Sequence, residues 1–332
     1  MPAKSNIASS LGRSDSALNA PVLNGSPKLS NFALVCLSNH DVTRLGVREQ
    51  GNSKALCFES RFECGNLRKA IQVGTYEYDL LLMPDVNSTH HHQWFYFEIS
   101  NMDAQASYTL NIVNQEKHHS QYQHGMRPLL FSVKEARCGR ALWTRVGTDI
   151  CYYRNSYVRN PHQRYQGKKT SRAVAKNIRE FYYTLSFNIK FKHSLDVCYL
   201  AYHYPYTYSY LMTNIWRLSR SYNPRTVHFR AEPLCDTLNH NQVPVITVTA
   251  SDNINNRIED RELIVLTSRV HPGESNASWL LDGLLTYLTG DALSAAKIRC
   301  KYVTKIVPML NVEGVVNGCM PIPSPRSMSL IR

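Results

Sequence analysis

Two kinds of apolar strand run through this chain, and the change from one to the other falls near Pro233. Upstream, residues 76–82, 93–99 and 108–113 are short runs of aromatic and β-branched residues, with turn residues at Pro84-Asp85, Asn87-Ser88 and Asn101 between them. Residues 181–191 and 197–204 continue that pattern. Several short strands with regular punctuation predict an antiparallel β-sandwich over residues 51–232. Downstream the strands are continuously apolar or β-branched, over residues 243–249 and 263–267, as strands buried on both faces are.

Between them and a third such run at 303–310 lies a helical stretch. Trp279, Leu280, Leu284, Leu285 and Leu288 are spaced to form its apolar stripe, Gly290 stops it, and a short helix over 291–299 follows. Strand, helix, strand is the unit of an α/β sheet. The fold class is therefore α/β plus all-β, with residues 233–318 forming an α/β part. Residues 1–50 read as a flexible tail, and 319–332, with Pro321, Pro323 and Pro325, as a segment unrelated to the sheet before it.

At 332 residues, 43% hydrophobic and 10% aromatic, the chain is long enough for one large core or two ordinary ones. No stretch approaches the roughly 18 apolar residues that span a bilayer, and no basic start leads into an apolar block. Nine cysteines without a Cys-x-x-Cys pair suit reduced thiols in the cytoplasm. A net charge of +13 draws acidic partners but does not choose among nucleic acid, anionic membrane and acidic protein tails. No nucleic-acid fold signature is present.

The segment richest in chemistry is His271-Pro272-Gly273-Glu274, directly after the apolar run at 263–266. Ligands of open α/β sheets gather at the carboxyl ends of strands, and Pro-Gly forces a turn there. Imidazole and carboxylate, with a third donor from elsewhere and one position for water, form a catalytic zinc arrangement. The same spacing also suits a structural turn with a hydrogen-bonded histidine. His90-His91-His92 and His118-His119 have no adjacent acidic or cysteine partner and read as solvated loop histidines. Eight basic residues between Arg154 and Arg179, with no acidic residue among them, read as a solvated insertion or a grip for phosphate or polyglutamate. The tyrosine-rich run 202–210 suits core or interface packing.

Together these segments resemble the cytosolic carboxypeptidases. The resemblance rests on residues 58–70, Gln93-Trp94-Phe95-Tyr96-Phe97-Glu98, Gly125-Met126-Arg127-Pro128-Leu129, the run 201–209, and Arg269-Val270-His271-Pro272-Gly273-Glu274-Ser275-Asn276-Ala277-Ser278-Trp279, and it covers about 58–318. It implies a β-sandwich followed by the first part of a zinc metallocarboxypeptidase domain, in enzymes that remove glutamates from protein tails, notably polyglutamylated tubulin. His271 and Glu274 match the first two zinc ligands. Residues 311–318 match the family's Asn-Pro-Asp-Gly segment, with Val312 and Glu313 in place of Pro and Asp. The family supplies its third zinc ligand, carboxylate-binding arginine and glutamate general base later than any segment matched here. The resemblance thus implies a shortened chain with no general base, a zinc site of two donors and little or no peptidase activity. A non-catalytic module that binds acidic tubulin tails is the alternative.

Overall fold

The structure, a computed structural model, describes residues 55–84, 91–159 and 180–318. The expected tails at 1–50 and 319–332, and the basic insertion between Arg159 and Glu180, lie outside the described residues. The first ten strands in chain order are β1 (Cys57–Glu59), β2 (Leu67–Gly74), β3 (Glu77–Leu82), β4 (Tyr96–Ser100), β5 (Ser107–Gln115), β6 (Leu129–Ser132), β7 (Trp143–Arg145), β8 (Thr148–Arg159), β9 (Glu180–Lys190) and β10 (Val197–Ala201). They form two five-stranded sheets, ordered β1-β4-β10-β6-β7 and β2-β3-β5-β9-β8.

Period-two alternation decides which face each strand buries. In β4, Phe97 and Ile99 are buried while Tyr96 and Glu98 are only half so. In β3, Tyr78, Leu80 and Leu82 point inward. The two sheets share one core, where the rings of Phe58 and Tyr78 stand 5.4 Å apart and Leu110, Phe187 and Leu200 are fully buried. Each such side chain contributes about 1.5–3 kcal/mol through burial.

One expectation is corrected here. The second sheet is not purely antiparallel, because β3 and β5 pair in parallel, Glu77 with Thr109 through Leu80 with Ile112. Between them the chain crosses to the other sheet to form β4, and so it returns in its original direction. The outward face of the parallel pair is tied by Asn111, which donates to Glu77 (2.8 Å) and Asp79 (3.1 Å) and accepts from Ser186 (2.7 Å).

The remaining strands are β11 (Val227–Asp236), β12 (Gln242–Ala250), β13 (Glu262–Thr267) and β14 (Tyr302–Val307), in the order β11-β12-β14-β13. The helices are α1 (Val133–Arg137), α2 (Tyr208–Ser221), α3 (Ser275–Thr289), α4 (Leu293–Lys301) and α5 (Val312–Val316). β13, α3, α4 and β14 make the strand-helix-strand unit, with β13 and β14 parallel from Glu262–Tyr302 to Thr267–Val307. β11 runs straight through Pro233, which sits on an edge strand beside a register shift, where the missing N–H costs least.

Three local expectations change. α2 is a helix inside the stretch read as strands: Thr207 caps it, accepting from Tyr210 N, and Leu211, Ile215 and Leu218 form its buried stripe. The inward stripe of α3 is Ser278, Leu281, Leu285 and Leu288, while Leu280 is 73% exposed. β12 is buried along nearly its whole length, whereas β13 lies at the edge and leaves Leu263 (59%) and Val265 (58%) exposed, not buried on both faces.

The sandwich is fastened to this sheet by the loop before β2. Cys64 N donates to Val316 O (3.0 Å), and Glu63 accepts from Ser209 N (3.1 Å) at the start of α2. The loop needs Gly65, since a Cβ there would stand 2.0 Å from the Ser60 carbonyl oxygen.

Candidate metal centre

β13 ends at Thr267, but its ladder does not stop there. Ser268 N donates to Val307 O (3.0 Å), Leu310 N to Ser268 O (2.9 Å) and Asn311 N to Arg269 O (3.2 Å). Arg269 adopts φ 56°, a left-handed conformation that costs a non-glycine residue on the order of 1–2 kcal/mol and re-aims the chain after the strand. The turn then closes with Glu274 N donating to His271 O at 3.1 Å. Glu274 is the N-cap residue of α3, yet its carboxylate makes no capping hydrogen bond. His271 and Glu274 are both exposed. A carboxylate beside a helix N-terminus is favoured by the unpaired N–H groups there.

The donor types, one imidazole and one carboxylate, fit zinc. The number does not complete a site: among the described residues no group of three His, Cys, Asp or Glu is placed to hold a metal. Both residues stand on one turn at the carboxyl end of a strand.

Two side chains around this turn were not singled out from the sequence. Arg269 is buried, and burial lowers its guanidinium to about 10, which leaves it charged at neutral pH. Asp282 of α3 accepts from Tyr206 Oη (3.1 Å) and from Asn214 Nδ2. Burial raises Asp282 above the usual carboxylate range, and burial with the Asp282 carboxylate raises Tyr206. The tyrosine run therefore splits by role. Tyr202 and Tyr206 are core, Tyr208 donates to Gln242 O (2.8 Å), and Tyr204 and Tyr210 stay exposed. Trp279 bridges the exposed pair, donating to Tyr204 O (3.2 Å) with its ring 5.3 Å from Tyr210.

Asn311 caps α5 by accepting from Gly314 N (2.9 Å) and reaches back to Val270 O (3.3 Å). Glu313 accepts from Thr237, Asn239 and Asn241, so its carboxylate clasps the β11–β12 hairpin.

The other candidates are placed as follows. His92 is not a solvated loop residue: it is buried, with Nδ1 2.5 Å from Glu116, a carboxylate delivered by β5's far end and also held by Arg159 (2.8 Å). The sequence hid that partner because it lies 24 positions away. His118 and His119 contact each other at 3.1 Å on the surface. Of the basic run, Arg154 lies over the Phe181 ring and Arg159 bonds Glu116, while the residues between Arg159 and Glu180 lie outside the described residues. Among the described residues no helix is long and apolar enough to cross a membrane.

The fold is that of the metallocarboxypeptidases: a metallo-carboxypeptidase from Burkholderia cenocepacia superposes with a TM-score of 0.58 at 18% identity, over 80% of this chain and 58% of that one. The sequence profile of the cytosolic carboxypeptidase N-terminal domain matches residues 58–169. Cytosolic carboxypeptidase 1 of Xenopus laevis is 49% identical over 268 residues, and cytosolic carboxypeptidase 4 of Mus musculus is 50% identical over 271. Those matches take in 79% and 80% of this chain, which spans only 21% and 23% of the length of these relatives. The chain belongs to the cytosolic carboxypeptidase family.

Proposed function

We propose that this chain carries the sandwich and the first two metal donors of a zinc metallocarboxypeptidase that removes glutamates from acidic protein tails, polyglutamylated tubulin among them. The observation that carries this reading is the His271/Glu274 turn, presented at the carboxyl end of β13 with neither side chain spent on capping. When bound, zinc would lower the pKa of a coordinated water and polarise the scissile carbonyl. His271 and Glu274 would hold the ion, and Arg269 would keep their turn in place. The +13 charge supports an acidic partner.

Two donors hold zinc weakly, and hydrolysis also needs a general base. Residues 1–332 alone are therefore expected to release little or no glutamate. The test supplies zinc and polyglutamylated tubulin to the purified chain and measures free glutamate. Turnover that Glu274→Ala abolishes would show that these residues suffice and would overturn the two-donor reading.

A further inference from the structure

The turn that carries His271 and Glu274 is held by two side chains: Asn311, which donates to Val270 O at 3.3 Å, and Arg269, which reaches furthest behind it. Arg269 is 2% exposed, and its guanidinium spends its donors on three separate segments. Nε donates into the turn itself, to Pro272 O at 2.7 Å. Nη1 donates to Ser278 Oγ at 2.8 Å, in the first turn of α3, and to Tyr206 O at 3.2 Å, just ahead of α2. All three acceptors are neutral oxygens. The backbone of Arg269 is also fixed, since its carbonyl accepts from Asn311 N at 3.2 Å.

This arrangement matters because the two metal donors belong to different elements. His271 follows a strand, whereas Glu274 begins a helix. Their separation is set by whatever couples the strand end to that helix. The rigid planar fork of Arg269 does so directly, by bonding the turn and the helix at once. A lysine ammonium is a point donor on a flexible stem and cannot reproduce a fork fixed in two directions.

Resting on the zinc reading above, we infer that Arg269 is a positioning residue of the metal centre. It touches neither ion nor substrate; it fixes the placement of His271 and Glu274 and thereby raises zinc affinity. Groups that orient metal ligands from behind are worth roughly 10- to 100-fold in metal affinity.

The test uses the full chain and zinc ion alone, in competition with a chromophoric chelator. Arg269→Gln is expected to weaken zinc binding about 10-fold or more, with Arg269→Lys in between. Amide exchange at Glu274, whose N–H closes the turn, should quicken in Arg269→Gln while the Phe97 and Leu110 amides of the sandwich keep their protection. Unchanged zinc affinity in Arg269→Gln would overturn the inference. If that variant fails to fold, Ser278→Ala, which removes one acceptor of the fork, decides in the same two directions. Should the wild-type chain bind no zinc, or bind it equally well as His271→Ala and Glu274→Gln, the zinc reading itself fails. Exchange at Glu274 then judges Arg269 alone: faster exchange in Arg269→Gln supports its role in the turn, and unchanged exchange ends it.

Discussion

The sandwich and the four-stranded sheet are built from similar residues and treat them differently. In the sandwich, each sheet finds the other, so Phe97, Leu110 and Phe187 are fully buried. In the second sheet, β12 is nearly all buried, yet β13, with the same kind of Leu-Ile-Val-Leu run, leaves Leu263 and Val265 more than half exposed. Burial is thus a property of a strand's neighbours, not of its composition. Among the described residues β12 has a partner strand on each side, and β13 has one.

Substitutions can break that contrast. Phe97→Ala should cost about 3–5 kcal/mol in chemical denaturation, and Ile246→Ala of β12 about 2–5 kcal/mol, because both leave cavities in closed packing. Leu263→Ala should cost less than about 1 kcal/mol, since most of its surface already meets water. A loss equal to that of Ile246→Ala would mean that the β13 face is covered.

The fastening between the two regions comes next. Gly65→Ala forces a methyl group onto the Ser60 carbonyl and should lower the unfolding free energy by about 1–3 kcal/mol in chemical denaturation. A smaller loss, about 1.5 kcal/mol, is expected for Glu313→Ala, which strips the β11–β12 hairpin of the carboxylate its donors share. Retained protection of the hairpin amides in that variant would rule the clasp out.

The smallest effect is at the sandwich edge. The Arg61 guanidinium beside Glu59 holds its carboxyl at about 2, below its ordinary 4.5. The folded value lies below the unfolded one, so this pair's stabilisation is complete above about pH 4.5 and vanishes as pH falls through about 2. Exposure to water keeps it slight. An NMR titration of Arg61→Ala should return Glu59 toward 4.5, and an unmoved midpoint would remove Arg61 as the cause.

What the sequence made legible was whatever depends on local pattern. The strand runs, the strand-helix-strand unit and the His271/Glu274 turn all follow from spacing within a few residues. What it hid depends on distant partners. Thr207 gives a cap signal, but the aromatic content of 208–221 masks the helix it starts. The His92–Glu116 pair and the β3–β5 pairing are made by chain crossings that no short window contains. Net charge misleads in the same way: Arg261, Arg269 and Arg299 count toward the basic surface by composition, yet all three are internal and donate to backbone carbonyls.

The Cys64–Val316 hydrogen bond has a consequence for biosynthesis. It ties the sandwich's opening loop to α5, among the last of the described residues to leave the ribosome. The nascent sandwich can pair its strands early, but that loop must wait without its partner until translation has passed β14. A chaperone acting on this chain would therefore meet two packed sheets with one unlatched door.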